Sequence, residues 1–218
     1  MIATASEQYW RERLRNCREA LQKNAFDVFI AEDRVQAKSI VLDEIFPKTG
    51  AKSASWGDSM TLHATGILDA LLACPGLSIL KTFEGGVPRS EIIERRRRAL
   101  LVDFFITGTN AITECGKLVN LDMVGNRVAA IAFGPTTVVI LAGRNKIVPD
   151  VAGAIRRIKD YAAPINTIRH EFKTPCAVTS RCADCKSPQR LCNTWIITNK
   201  SFPRGRIKVI LINEEMGL

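Results

Sequence analysis

The sequence predicts an α/β fold: a mainly parallel sheet covered by helices, followed by a short cysteine-rich segment near the C-terminal end. Three observations predict it. Short runs rich in β-branched and aromatic residues alternate with stretches whose apolar residues recur at helical spacing, the order that builds βαβ units. Two of these runs, VDFFIT at 102–107 and TTVVILAG at 136–143, are apolar at nearly every position, as strands buried on both faces are. The chain has 218 residues, 46% hydrophobic and 24% charged, which suits one domain with a full core. That composition excludes disordered, collagen-like and low-complexity architectures. Residues 1–218 therefore read as a single α/β domain that includes the cysteine-rich segment 175–193.

Each element has a local reason. Residues 6–24 place Trp10, Leu14, Cys17 and Leu21 on one helical face, with Ser6 as the expected cap. FDVFIA at 26–31 reads as a strand, 32–46 as a helix, AKSASW at 51–56 as a strand and 58–72 as a helix. LSILK at 77–81, a helix at 88–100 and the strand 102–107 continue the alternation. In ITECGKLVN, 112–120, β-formers flank Cys115-Gly116, the signature of a tight hairpin turn. The strand at 136–143 is followed by a helix at 150–162. Pro175 to Asn193 lacks useful periodicity, and two closing strands follow, TWIITN and RIKVILIN.

Net charge is +9 and uneven. Residues 151–218 hold 12 Lys/Arg against 5 Asp/Glu, or +7, whereas residues 1–150 hold 19 against 17, or +2. Such a basic region suits an anionic metabolite or an acidic partner, and it also offsets thiolate charge. Nucleic acid is a poor fit, because Trp195 is the only Trp or Tyr after Tyr161 and stacking platforms are scarce. No apolar run approaches the roughly 20 residues of a membrane span. The opening residues turn charged too early for a signal peptide. Seven cysteines are too sparse for a disulfide scaffold. The expectation is a cytoplasmic protein with no membrane partner.

Several polar groups stand where strands end. Gly57, Asp58 and Ser59 follow one strand; Gly108, Thr109 and Asn110 follow another; Arg144, Asn145 and Lys146 follow a third. Open α/β sheets bind ligands at the carboxyl ends of their strands, so these corners are expected to share one pocket. Gly125, Asn126 and Arg127 precede the apolar VAAIAF, where backbone N–H groups and a guanidinium can meet an anion. Glu114 and Asp122 flank the hairpin and are the acid/base candidates. Against this stands the reading in which Gly and Asn only shape turns, Asp58 caps a helix and the carboxylates are solvated.

Four cysteines are clustered. Cys176, Cys182, Cys185 and Cys192 have the spacing C-x5-C-x2-C-x6-C, enough to wrap one tetrahedral ion or an iron–sulfur cube. The pattern is neither the usual zinc ribbon nor the usual ferredoxin run, so a [4Fe–4S] cluster and zinc both stand, with a disulfide or free thiols as alternatives. Lys173, Arg181, Lys186 and Arg190 would moderate the thiolate charge. Cys17 reads as core, and Cys74 and Cys115 have no thiol neighbour in sequence. The run Arg95 to Arg98 reads as a solvated helix face. His63 and His170 stand isolated.

Taken together, WGDSMTL, GTNAITECGKLVNLDMVGNRVAAIAFGP, AGRNKIV, AAPINTIR and the cysteine motif resemble the LUD (lactate-utilisation, formerly DUF162) family over nearly the whole chain. The resemblance implies a doubly wound parallel sheet of the isomerase/CoA-transferase-like type. DFFITGTNAITECGKLVN is also similar to the active-site segment of sugar-phosphate isomerases of the initiation-factor 2B type, which adds Asn120 to the ligand-binding candidates. Cys115 and Met123 depart from that pattern, where an acidic or polar residue and a glycine are common. Family members are associated with oxidation of L-lactate to pyruvate beside iron–sulfur partner subunits. The expectation is an accessory or redox subunit binding a small anionic metabolite, with homodimerisation as a further expectation. The alternative is a stand-alone isomerase- or transferase-type enzyme on a phosphorylated or CoA-linked small molecule, and the weakest is a nucleic-acid module built on a zinc knuckle.

Overall fold

The structure is a computed structural model and describes residues 2–218. Helix α1 (Ile2–Lys23) starts ahead of Ser6, which therefore lies inside the helix instead of capping it. Its buried Leu14, Cys17 and Leu21 face the sheet. After β1 (Asp27–Ala31), Asp33 caps α2 (Arg34–Ser39) by accepting from the Gln36 N–H. That helix runs through a π-helical stretch (Ile40–Ile45) into α3 (Phe46–Thr49). Beyond β2 (Ser53–Trp56), the single helix expected over 58–72 is two, α4 (Met60–Thr65) and α5 (Ile67–Leu72). The break falls at Gly66, whose φ of 64° is open to glycine at little cost.

Strand β3 (Ser78–Ile79) is shorter than LSILK suggests, and α6 (Arg89–Arg98) follows it. Next come β4 (Phe104–Gly108) and the hairpin β5 (Ala111–Thr113) and β6 (Leu118–Asp122), then α7 (Asn126–Ala132) and β7 (Thr137–Gly143). After β8 (Ile147–Val148), α8 (Val151–Arg157), a π-helical stretch (Ile158–Ala162) and α9 (Ala163–Arg169) form one helical run. It passes the end expected at 162. The short α10 (Pro175–Thr179) opens the cysteine segment, and β9 (Thr194–Thr198) and β10 (Ile207–Ile212) close the chain.

The larger sheet has the order β1-β10-β7-β4-β2-β3 and is parallel throughout. Side chains two apart share a face, so each strand divides its apolar residues between two layers. Phe104, Ile106, Val139, Leu141, Ile210 and Ile212 pack with Val41, Leu62, Ile67 and Leu71 on one face. Phe105, Val138, Ile140, Val209 and Leu211 pack with Leu14, Leu21 and Ile131 on the other. Each such burial contributes about 1.5–3 kcal/mol. Helices on both faces make the fold doubly wound, as expected.

The two closing strands part company. β10 inserts between β1 and β7, whereas β9 pairs antiparallel with β6 in a second sheet of order β8-β5-β6-β9. Val119 and Leu121 of that sheet pack on Ala154, Ile158 and Ala163. This lays the base of the hairpin beside the carboxyl end of β4. Among the described residues, no helix is long and apolar enough to cross a membrane.

Candidate functional site

A cleft of about 680 Å³ opens at the carboxyl ends of β2 and β4. Nine of the expected ligand-site and acid/base residues line it: Asp58, Ser59, Gly108, Thr109, Asn110, Asp122, Asn126, Arg127 and Lys146. Two more stand behind its wall. A Cβ on Gly57 would lie 2.7 Å from Arg127 Cγ, and Asn120 is fully buried and accepts from Arg127. Gly125, with φ 93°, supplies the turn into α7.

Three expectations are corrected by position. Glu114 sits at the hairpin turn, exposed and paired with Arg13 at 2.9 Å, outside the cleft lining. The reason is that the turn docks on α1, where Asn24 Nδ2 donates to the carbonyls of Cys115 and Gly116. Arg144 stacks over the Trp10 ring at 5.2 Å, and Asn145 accepts from the Met216 N–H. Both are occupied by the packing of the chain's last residues and of α1, not by the cleft.

Arg127 has a different role from the one its position at a helix start suggests. Its Nη1 donates to Gly108 O at 3.0 Å and Asn120 Oδ1 at 2.8 Å; its Nη2 donates to Asn110 Oδ1 at 3.0 Å and Leu121 O at 2.8 Å. It is a strut between β4 and β6. The backbone N–H groups of Arg127 and Val128 are also taken, both by Asp122 Oδ2. An anion at this corner is thus supplied by the chain itself. At the other corner, Ser59 Oγ accepts from the Leu62 N–H, so Ser59, not Asp58, caps α4.

Lys146 lies at the floor, 4% exposed, with Nζ donating to Thr61 Oγ1 and Thr109 O, each at 3.0 Å. Burial first, then the nearby Arg157 and Arg127 charges, push its amine down to about 7. Asp122 and, more weakly, Asp58 offset the Arg127 charge. Arg157 itself donates to the Asn110 and Asn145 carbonyls and is held below the usual arginine range by burial.

Arg96, Arg169 and His170 also line the cleft and His63 stands beside it, although in sequence the arginine run reads as a solvated face, both histidines stand isolated and Arg169 is not among the expected site residues. On α6, Arg95, Arg97 and Arg98 pair with Glu84, Glu91 and Glu94 at the surface, as a solvated face should. Arg96 turns the other way, with Arg89, Ile92 and Ile93, into the cleft. Its guanidinium lies over Phe83 at 5.1 Å, and its Nε is buried without a hydrogen-bond partner among the described residues. Burial lowers its affinity for the proton, opposed by the Asp122 and Asp58 carboxylates and aided weakly by Arg89. The spacing of Arg89, Ile92, Ile93 and Arg96 was a readable signal for one helix face.

The remaining three gather at Asp58. Arg169 Nη2 donates to Asp58 Oδ2, His63 Nε2 lies 3.2 Å from Oδ1, and His170 Nε2 lies 3.8 Å from Oδ2. Burial alone would raise the Asp58 carboxyl, but Arg169 and His63 outweigh it and hold the group below its usual range. Burial and the Arg169 charge likewise keep His170 below the usual imidazole value, with Asp58 opposing, and its ring stacks on Phe172. The arrangement is a guanidinium with no ion pair among the described residues on one wall and, on another, an imidazole whose Nε2 meets Arg169 Nη2 at 2.8 Å. Chemically, that can hold a carboxylate and accept a proton beside it.

The cysteine segment forms part of the same cleft through Pro188, Gln189 and Leu191. Its four thiols, from Cys176, Cys182, Cys185 and Cys192, line one small cavity behind that wall. Burial, then the neighbouring thiols of Cys182, Cys176 and Cys185, push the Cys192 thiol up, with Arg190 opposing. All four are free. Among the described residues, no group of three His, Cys, Asp or Glu side chains already stands at metal-ligating distances.

The sequence model of the LUD domain family matches residues 14–212. A crystal structure of a DUF162 family protein from Deinococcus radiodurans is similar over 94% of this chain and 98% of that one, with a TM-score of 0.53 and 12% identity. At that identity the likeness concerns the fold alone. No curated protein matches the chain.

Proposed function

The chain belongs to the LUD domain family, and from that premise we propose that its cleft binds a small 2-hydroxy carboxylate of the lactate type. In this reading the protein is an accessory or redox subunit in the oxidation of L-lactate to pyruvate, working beside an iron–sulfur partner. The observation that carries it is Arg96, a half-buried residue of the cleft lining whose Nε is buried with no hydrogen-bond partner among the described residues. A buried donor left unsatisfied costs about 1–3 kcal/mol, and a carboxylate removes that cost with a charge-assisted bond. Lys146 at the floor adds positive potential without a neutralising carboxylate in contact.

Oxidation of a hydroxy acid releases two electrons and two protons. One proton leaves the hydroxyl, and His170 can take it once its Nε2 releases Arg169 Nη2, 2.8 Å away; the other leaves C2 to solvent as the electron pair departs. The electrons need an acceptor, which this reading assigns to the iron–sulfur partner. Titration calorimetry with L-lactate, pyruvate and inorganic phosphate tests the idea. The carboxylates are expected to bind the parent and to lose roughly ten- to hundredfold in affinity in Arg96→Gln, the scale of about 1.5–3 kcal/mol for a charge-assisted bond. Unchanged affinity in that variant, or no heat with either carboxylate, would overturn the assignment.

A second reading has its own observation. The cleft volume, about 680 Å³, far exceeds what lactate fills. A phosphorylated or CoA-linked small molecule would use that room, with Asp122 and Lys146 as the titratable groups at hand for an isomerase or transferase. Binding of phosphate or a sugar phosphate in preference to the carboxylates would favour it.

A further inference from the structure

We propose that Cys176, Cys182, Cys185 and Cys192 hold one thiophilic divalent metal ion of the zinc class as a tetrathiolate, and that this ion pins the cleft wall carrying Pro188, Gln189 and Leu191. The inference does not rest on what the cleft binds, and its test reads the metal directly. The sequence spacing leaves a single ion and an iron–sulfur cube both open, and the small cavity between the thiols favours the single ion.

Convergence is the first observation. The four thiols come from α10, from the loop after it and from the approach to β9, yet all line one cavity with Thr167, Thr174, Arg190 and Leu191. Cys176 Sγ sits 3.3 Å from Thr174 Oγ1 and 3.6 Å from Thr167 Oγ1, so hydroxyls surround the sulfur that is most buried. The sulfurs are gathered but not closed to ligating distance.

Size is the second. The cavity has room of about 10 Å³, on the scale of one water-sized sphere. That admits one ion. A cube of four irons and four sulfides needs far more room than a single ion.

Arg190 is the third. Its Nη1 and Nη2 donate to the carbonyls of Cys185 and Cys192, tying two of the four ligand positions together. Its Nε is buried with no acceptor among the described residues. A metal-bound thiolate is an acceptor for such an N–H, and second-shell donors of this kind stabilise metal sites. Four thiolates on a divalent ion leave a charge of −2, which the guanidinium in the cavity wall partly offsets.

Energetics supply a reason for the site. Between α10 and β9 the chain has no regular structure, and most of its side chains are exposed. Little apolar burial holds this stretch in place, so ligation would contribute a large share of its folding energy. Gln189 accepts from the Lys173 N–H at 2.7 Å while also lining the cleft, which links the order of the loop to the shape of the wall.

The test uses the full chain purified without oxygen and with reductant. Zinc, iron and acid-labile sulfide are measured per chain; the metal is then removed with a chelator and cobalt(II) is added as the probe. One metal per chain is expected, and cobalt should give the intense visible bands and thiolate charge-transfer absorption of a tetrahedral sulfur site. The double variant Cys182→Ser, Cys185→Ser should lose those bands, while Cys74→Ser, Cys115→Ser should keep them. Hydrogen exchange on the parent, which needs no variant to fold, should show residues 172–192 slowing on metal loading while the parallel sheet is unchanged. Weak octahedral cobalt bands in the parent, or metal content equal in parent and double variant, would overturn the site. Iron with matching sulfide would overturn the single ion.

Discussion

Arg169 donates to Asp58, a residue 111 positions earlier in the chain, and so ties the end of α9 to the start of α4 across the cleft. The same carboxylate orients His63 and lies near His170. Because Arg169 and His63 hold Asp58 below its ordinary value of 3.8, the group binds its proton less readily folded than unfolded. Its contribution to stability is therefore present above 3.8 and is lost as pH falls through the folded value.

Asp58→Asn is accordingly expected to cost about 1 kcal/mol at neutral pH, the upper end for a partly exposed ion pair. On acidification below the ordinary aspartate value of 3.8, the gap between variant and parent should close. Urea unfolding at neutral and acid pH measures both. A gap that persists in acid would mean the carboxylate acts through shape instead of charge.

Arg127→Ala should destabilise the whole fold by about 3 kcal/mol or more, because it strands buried acceptors at about 1–3 kcal/mol each. Those acceptors are Gly108 O, Asn120 Oδ1, Asn110 Oδ1 and Leu121 O. Arg127→Lys should not restore stability, since one ammonium cannot span the forked geometry. The readout is the midpoint of denaturant unfolding. A variant as stable as the parent would return Arg127 to the ligand-binding role read from the sequence.

Lys146 predicts a rise of stability with pH in a higher window. Its amine falls from 10.5 to about 7 on folding, so across that window the unfolded chain binds the extra proton. Stability contributed by this residue rises with pH from about 7 towards 10.5, and below about 7 the folded state carries the full penalty of a buried charge. Thermal unfolding should show a rise in the parent that is missing in Lys146→Met. An anion in the cleft should draw a proton onto the amine, so binding heats near neutral pH should vary with the ionisation enthalpy of the buffer.

Gly57→Ala tests the packing behind the cleft. The new Cβ would come within 2.7 Å of both Arg127 Cγ and Thr107 Oγ1. Overpacking of this kind typically costs about 1–3 kcal/mol. Calorimetric melting should register it, together with weaker binding of any cleft ligand as Arg127 shifts. A melting temperature equal to the parent's would show that the β2 corner has slack.

The alternation of strands and helices was legible because it rests on local periodicity. Phe104, Phe105 and Ile106 sit in β4 and divide between its two faces, as an apolar run in a parallel sheet must. Helix ends were less legible. Ser6 looked like a cap but lies within α1, because neighbouring residues continue the helix and the tertiary contacts of Leu14 and Leu21 reward it. Gly66 splits a stretch whose apolar spacing alone reads as continuous.

The cleft was half legible. Strand-end residues such as Gly108, Asn110 and Lys146 fall where the sheet topology places them, so their position follows from the strands that carry them. Glu114 was misplaced because a hairpin carries its turn away from its base, and here the turn docks on α1. Arg96 was hidden in a run of four arginines, and only the facing of α6 separates it from its paired neighbours.

By itself, then, the sequence determined which segments become strands and helices, which strand ends carry polar residues, and that four thiols lie close along the chain. Tertiary structure alone decided that Arg127 is spent on carbonyls, that Arg96 is not, and that Asp58 meets Arg169, His63 and His170. The reason is that hydrophobic periodicity is written within a few residues, whereas the partners and solvent of a charged group are set by elements distant in the chain. A guanidinium has the same charge in a strut and in a binding site. What differs is which acceptors the fold brings to it, and whether any are left for a ligand to supply.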